Sequence, residues 1–379
     1  MRPTWTTLLM ALLLAVAPAA FASTTWYVNG VTGSDSNDCK SPTTACKTIG
    51  HAISLSSSGD SVMVAAATYK ENLTISNDLN VIGSGAKTTI IDGGGAGIVV
   101  TIPNTSTHVT LSKLTIQNGL ASGGSGFPGG GGINNQGTLT IQNSTISGNS
   151  AIATLCEGHC GINGGGILTF GTLTISGSTI SGNGSIIESC QGIFSTCTAN
   201  GGGIASIGSF PLTVTNSSIN GNFARAPGVS HGGGIYGGVE VISNSTISGN
   251  SVTGSQAFGG GIYTFATLQN SIVANNTGGN CFTSITSNGY NLSSDSTCNF
   301  NNTGDLNNTD PKLGPLQNNG GPTQTQALLS GSPAIDAGNP NGCTDGQGHL
   351  LKTDQRGMPR PDQEDTGGCD MGAYERQSD

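Results

Sequence analysis

Through the middle of the chain, apolar residues alternate with hydroxyl residues at a period of two. The pattern reads Leu139-Thr140-Ile141, Leu173-Thr174-Ile175 and Leu212-Thr213-Val214, with Leu114-Thr115-Ile116 as an earlier cousin. Such alternation predicts short strands with one buried face. A second strand follows each of these, through Ile146, Ile180, Ile219, Ile247 and Val273, and a Gly-Gly-Gly-Ile block supplies a third. A helix does not fit. Apolar residues two apart would face different ways, and each interior glycine would cost about 1 kcal/mol relative to alanine.

The isoleucines that close the glycine blocks are Ile133, Ile167, Ile204, Ile235 and Ile262, separated by 34, 37, 31 and 27 residues. A constant phrase with slack in its loops marks stacked supersecondary units. Three short strands per unit predict an all-β, right-handed parallel β-helix, a solenoid in which like residues stack at about 4.8 Å. Asn149, Asn183, Asn222, Asn250 and Asn276 then form a corner column whose amides bond the turn backbone and one another. Lys47 to Ser56 predicts a short amphipathic helix capping the open end of the core. The segments Val62-Met63-Val64, Leu73-Thr74-Ile75, Leu79-Asn80-Val81-Ile82 and Thr89-Ile90-Ile91 read as irregular early coils. Beyond about Asn301 the periodicity stops and Pro, Gly and Asp rise, which predicts an irregular C-terminal cap folded back on the last coils.

The first 22 residues carry one cation, Arg2, an apolar run from Leu8 to Val16, and Ala20-Phe21-Ala22 as a cleavage site. They predict a secretory signal peptide. The expected organisation is a leader at 1–22, a β-helix with its N-terminal cap at 23–300, and a C-terminal capping region at 301–379. No later segment approaches the ~20 apolar residues that span a bilayer. The expected location is secreted, extracellular or at the cell surface, with outer-membrane association as one form of it. Without Arg2 the chain sets 11 cations against 21 acids. That balance excludes nucleic acid as a partner.

Ten cysteines in an exported chain predict disulfides. They fall as neighbours: Cys39 and Cys46, Cys156 and Cys160, Cys190 and Cys197, Cys281 and Cys298, Cys343 and Cys369. Each bridge would close a short loop projecting from the stack. A metal site at Cys156-Glu157-Gly158-His159-Cys160 is the alternative, but no second Cys/His pair in the sequence completes a tetrahedral set. No metal site is assigned.

The opening W-Y-V-N-G, with K-T-I-G-H-A-I and G-D-S-V-M-V, precedes the G-G-G-I and N-S-T-I-S-G-N coils. The chain ends on G-S-P-A-I-D-A-G, T-D-Q-R-G-M-P-R-P and D-M-G-A-Y-E. Together these resemble bacterial exported β-helix proteins of the pectin-lyase-like superfamily, and the ending resembles the choice-of-anchor Q type. The repeats are similar to those of polymorphic outer-membrane proteins and adhesins. The resemblance covers essentially all of the mature chain and implies a surface-associated role, although no sorting tail is recognisable.

That superfamily also includes polysaccharide lyases and hydrolases, which need clustered acids and a base. Between Gly95 and Ser294 the acids are Glu157, Glu188 and Glu240 and the permanent cations are Lys113 and Arg225. One constellation remains, Arg225, His231 and Glu240 in a single coil, as a candidate for binding an acidic sugar or shuttling a proton. Its alternative is a set of solvated loop residues with a rim ion pair. Asp345, Asp362, Glu364 and Asp365 could hold Ca2+ loosely, without an EF-hand or nonapeptide pattern to support it. Otherwise no cofactor is expected. An outward column of Thr115, Thr140, Thr174, Thr213 and Thr267 resembles the ladders of some ice-binding β-helices, interrupted where Glu240 and Val241 fall. The leading expectation is an exported, non-catalytic scaffold with an adhesive or glycan-contacting face, its partner an extracellular polysaccharide or surface glycan. A carbohydrate-active enzyme is the main alternative and an ice-binding protein a minor one.

Overall fold

The computed structural model describes residues 23–123, 129–362 and 368–378. The expected leader, Glu364 and Asp365 lie outside the described residues. The chain is a parallel β-helix. Leu139, Leu173 and Leu212 stand in register on successive coils, and so do Ile146, Ile180, Ile219, Ile247 and Val273. All of these are fully buried in one continuous core. The early segments at Asp60–Val64, Leu73–Thr74, Leu79–Gly83 and Thr89–Asp92 are strands of the same sheets. A helix at Ile49–Leu55 packs against Thr25–Val28 and Asp60–Val64, burying Ile49 and Ala52. Thr48 caps it, its side chain accepting from the His51 N–H.

The turn phrase N-S-T-I-S-G-N resolves into separate tasks. Its first Asn is left-handed at Asn143, Asn216, Asn244 and Asn270, a conformation Asn tolerates. Next, the Ser144, Ser178, Ser217 and Ser245 N–H groups each donate to the serine hydroxyl one coil on. The Ile fills the core. The last Asn forms the expected ladder: Asn149, Asn183, Asn222, Asn250 and Asn276 are linked through their amides, and Asn280 continues the run. In the glycine blocks, Gly164 has φ +62 and a Cβ on Gly165 would lie 2.3 Å from the Gly184 backbone. The block is therefore a pinch at which the chain crosses the Asn183–Gly184 turn of its own coil backbone to backbone.

Two expectations need correction. Thr115 does not join the outward Thr column: it pairs with Thr145 at the turn, and Thr110 stands beneath Thr140. Aligning on the three-residue motif alone slipped the early coil onto the wrong strand. The cysteine segments are also more ordered than projecting loops. Cys156–Asn163, Cys190–Asn200, Val229–His231 and Gln256–Phe258 form a four-stranded parallel sheet, and Leu120–Ser122, Ser150–Ala153, Gly184–Ile187, Phe223–Arg225 and Ser251–Thr253 form another. These side sheets enclose a second apolar cluster of small residues, including Ala151, Ala199 and Ala224, with Ile162 and Ile187.

After Leu292–Ser293 the chain leaves the coils, makes an antiparallel pair at Leu313–Gln317 and Thr325–Leu328, and lies along the flank. It reaches further back than the last coils, because Lys87 Nζ donates to Asn318 Oδ1 at 2.7 Å. The buried Gln355 side chain donates to the Ser178 carbonyl and Thr179 Oγ1 and accepts from Ser218 Oγ. Arg360 donates to Asn216 Oδ1 and to Glu375. The turn column's polar groups are therefore the docking rail for the C-terminal segment. Among the described residues no helix is long and apolar enough to cross a membrane.

Candidate functional site: a groove beside the glycine corner

The glycine corner separates two columns of outward side chains. On the side-sheet edge, Asn163, Asn200, His231 and Phe258 are in register; on the main-sheet edge, Leu168, Ala205, Tyr236, Tyr263 and Phe282 are. In the middle coils the two edges border a cleft of about 520 Å³ lined by His159, Asn163, Phe170, Thr196, Asn200 and Tyr236, among others. None of its lining residues is acidic or permanently cationic.

In the later coils the columns close into an aromatic stripe. The His231 ring lies 4.2 Å from Tyr263 and 6.1 Å from Phe258, centroid to centroid. Tyr236 stacks on Tyr263 at 5.6 Å, and Tyr263 on Phe282 at 5.1 Å with an interplanar angle of 8°. Phe282 is 41% exposed, so the stripe opens to solvent. Asn200 Nδ2 donates to Asn163 Oδ1 at 3.0 Å, which turns Asn200 Oδ1 toward His231 Nδ1 at 2.9 Å. Burial lowers the His231 pKa. In the neutral ring Nδ1 carries the proton and donates, and Nε2 is the acceptor.

The three residues joined in the sequence reading are separated here. His231 belongs to the stripe. Arg225 is exposed on the other side sheet, in a depression with Glu188, Pro227 and Thr253. Glu240 is a correction: it is no rim residue, and it makes no ion pair with Arg225. It is 1% exposed, in register between Leu212 and Ala266, and faces the core. Relative to the following coil the register slips by one residue at Gly237-Gly238, and Glu240 stands level with Leu212. Neither carboxylate oxygen has a hydrogen-bond partner, nor does the nearby Ser206 Oγ. Desolvation raises the Glu240 pKa well above its usual 4.5, which favours the neutral carboxyl. Counting back from Asn244 as from Asn216 would have aligned Glu240 with Leu212. The stripe itself was missed because its two columns are joined only across the corner.

Of the acidic residues considered for Ca2+, Asp345 is spent on the N–H groups of Gln347 and His349 and on the His349 ring, and Asp362 is buried. The five cysteine pairs are bonded as neighbours, as befits an oxidising compartment.

No family model matches the chain, and no curated protein matches it. Among solved structures it is similar to pectate lyase Pel9A, at 15% identity over 94% of this chain and 98% of that one, with a TM-score of 0.39. It is also similar to pectin methylesterase PemA from Erwinia chrysanthemi, at 13% identity over 62% of this chain and 81% of that one, with a TM-score of 0.33.

Proposed function

We propose that the chain is an exported, non-catalytic scaffold that contacts a neutral glycan along the groove beside the glycine corner. One observation carries the proposal: half-exposed aromatic rings stacked across successive coils, continuing into a column of amides and hydroxyls. Flat rings offer apolar faces to the CH faces of sugars, and the amides and hydroxyls match sugar hydroxyls. The uncharged lining favours a neutral polymer over a uronate, which would need cations to neutralise it.

The enzymatic alternative has less support among the described residues. The C-terminal segment does lie over the helix flank, around a cleft that includes Lys113, Asp354 and Arg356. However, the Asp354 carboxylate already accepts from Arg356 Nε and from the N–H groups of Arg356, Met358 and Glu375. The resemblance to choice-of-anchor Q proteins supports a position at the cell surface. Affinity electrophoresis on neutral and uronic-acid polysaccharides tests the reading. Retardation by a neutral polymer, abolished in Tyr263→Ala, is expected; equal mobility of both proteins in every polymer would end it.

A further inference from the structure

The disulfides Cys156–Cys160 and Cys190–Cys197 lie on successive coils, cysteine over cysteine. Cys156 is in register with Cys190, and Cys160 with Cys197. Paired residues of parallel strands send their side chains to the same face, so the sulfurs converge. Sγ of Cys156, Cys190 and Cys197 lie within 4.8 Å of one another, and Cys160 is bonded to Cys156. The cysteines belong to the small-residue cluster under the side sheets, beside Ala153, Ile162, Ile187 and Ala199.

We propose that in its dithiol form this four-cysteine cluster is a tetrahedral thiolate site for one zinc-like divalent cation. The sequence around His159 supplies only two thiols; coil stacking brings the second pair that a closed site requires. Zinc–thiolate bonds of about 2.3 Å in a tetrahedron set sulfurs about 3.8 Å apart. On reduction the sulfurs of each bridge, bonded at 2.09 and 2.05 Å, would open by about 1.7 Å, and sulfurs of facing bridges would close by at most about 1 Å, within the reach of side-chain rotation. His159 is not part of the sulfur grouping; its Nδ1 hydrogen-bonds Thr196 Oγ1 at 2.6 Å.

The redox step balances. Each disulfide takes two electrons and two protons from one dithiol reductant, which leaves as its own disulfide, and two equivalents yield four thiols. Cation binding then expels the thiol protons as the sulfurs become thiolate ligands. Two equivalents of a disulfide oxidant, each leaving as its own dithiol, would re-form the two bridges and eject the cation. Cys160 also borders the cleft beside the glycine corner, but the test below reads the cation and not the glycan.

The test reduces the full chain with dithiothreitol, removes the reagent without air, and titrates Co2+ as the probe. One equivalent bound with the visible bands of tetrahedral cobalt thiolate is expected. Those bands should persist in Cys39→Ser/Cys46→Ser, which removes the other grouping, of Cys39, Cys46 and His51, and vanish in Cys190→Ser/Cys197→Ser. A second measurement needs no variant: bound cation should protect Cys156, Cys160, Cys190 and Cys197 from alkylation, read by peptide mapping. Absence of tetrahedral bands, their survival in Cys190→Ser/Cys197→Ser, or protection of other cysteines instead would overturn the proposal.

Discussion

Asn183 grips the side-chain oxygen of Asn222, one coil on, with two donors at once: its backbone N–H at 3.0 Å and its Nδ2 at 2.9 Å. Asn222 Nδ2 in turn donates to the Ile180 carbonyl and to Asn250 Oδ1. Asn222→Ala removes an acceptor and a donor from a buried corner, at about 1–3 kcal/mol for each group left unpaired. A lower guanidinium midpoint is the expected result, and Asn222→Asp should fall further because it buries a charge. An unchanged midpoint in Asn222→Ala would mean that the ladder contributes nothing to stability.

Ile180 sits in the column of Ile146, Ile219, Ile247 and Val273 with no exposed surface. Ile180→Ala should cost about 2–5 kcal/mol, and Ile180→Asp should unfold the central coils. Thermal melting followed by circular dichroism checks both.

Glu240 occupies a leucine position without a partner. Glu240→Leu should therefore stabilise the fold, by about 1–3 kcal/mol. The pH dependence has a definite sign. Desolvation raises the folded-state pKa well above 4.5, whereas the unfolded side chain keeps its ordinary value. Above the unfolded pKa the unfolded chain sheds a proton that the fold retains, so this group's contribution is lost as pH rises, until the folded carboxyl also ionises. The melting temperature of the native chain relative to Glu240→Gln should fall from acid to alkaline pH; a constant difference would contradict a neutral buried carboxyl.

Gln355 ties the C-terminal segment to Ser178, Thr179 and Ser218. Gln355→Ala should expose that segment to limited proteolysis while the central coils stay resistant. Cleavage within the coils at the same rate would show that the segment and the coils open together.

With polygalacturonate or alginate and calcium, neither unsaturated product nor new reducing ends should form. Turnover that disappears in Arg225→Ala would contradict the non-catalytic reading.

The sequence carried the core and the Asn149-to-Asn276 ladder, because both repeat once per coil at an unvarying place in the turn. It also paired the cysteines as neighbours, because each pair closes its own loop. It did not carry the place of Glu240, where the register slips by one residue at Gly237-Gly238, nor the side sheets, whose strands hold few bulky apolar residues. The groove was hidden for a related reason: His231 and Tyr236 are ordinary in their own strands and meet only through stacking.

Along the asparagine ladder, partners are separated by 34, 39, 28 and 26 residues, yet their amide contacts stay between 2.9 and 3.0 Å. The corner measures coils, not chain length. New chain can therefore be spliced into the side-sheet arc of any coil without disturbing its neighbours' alignment, which makes the β-helix a chassis on which one surface can diversify while the core and the ladders remain as they are.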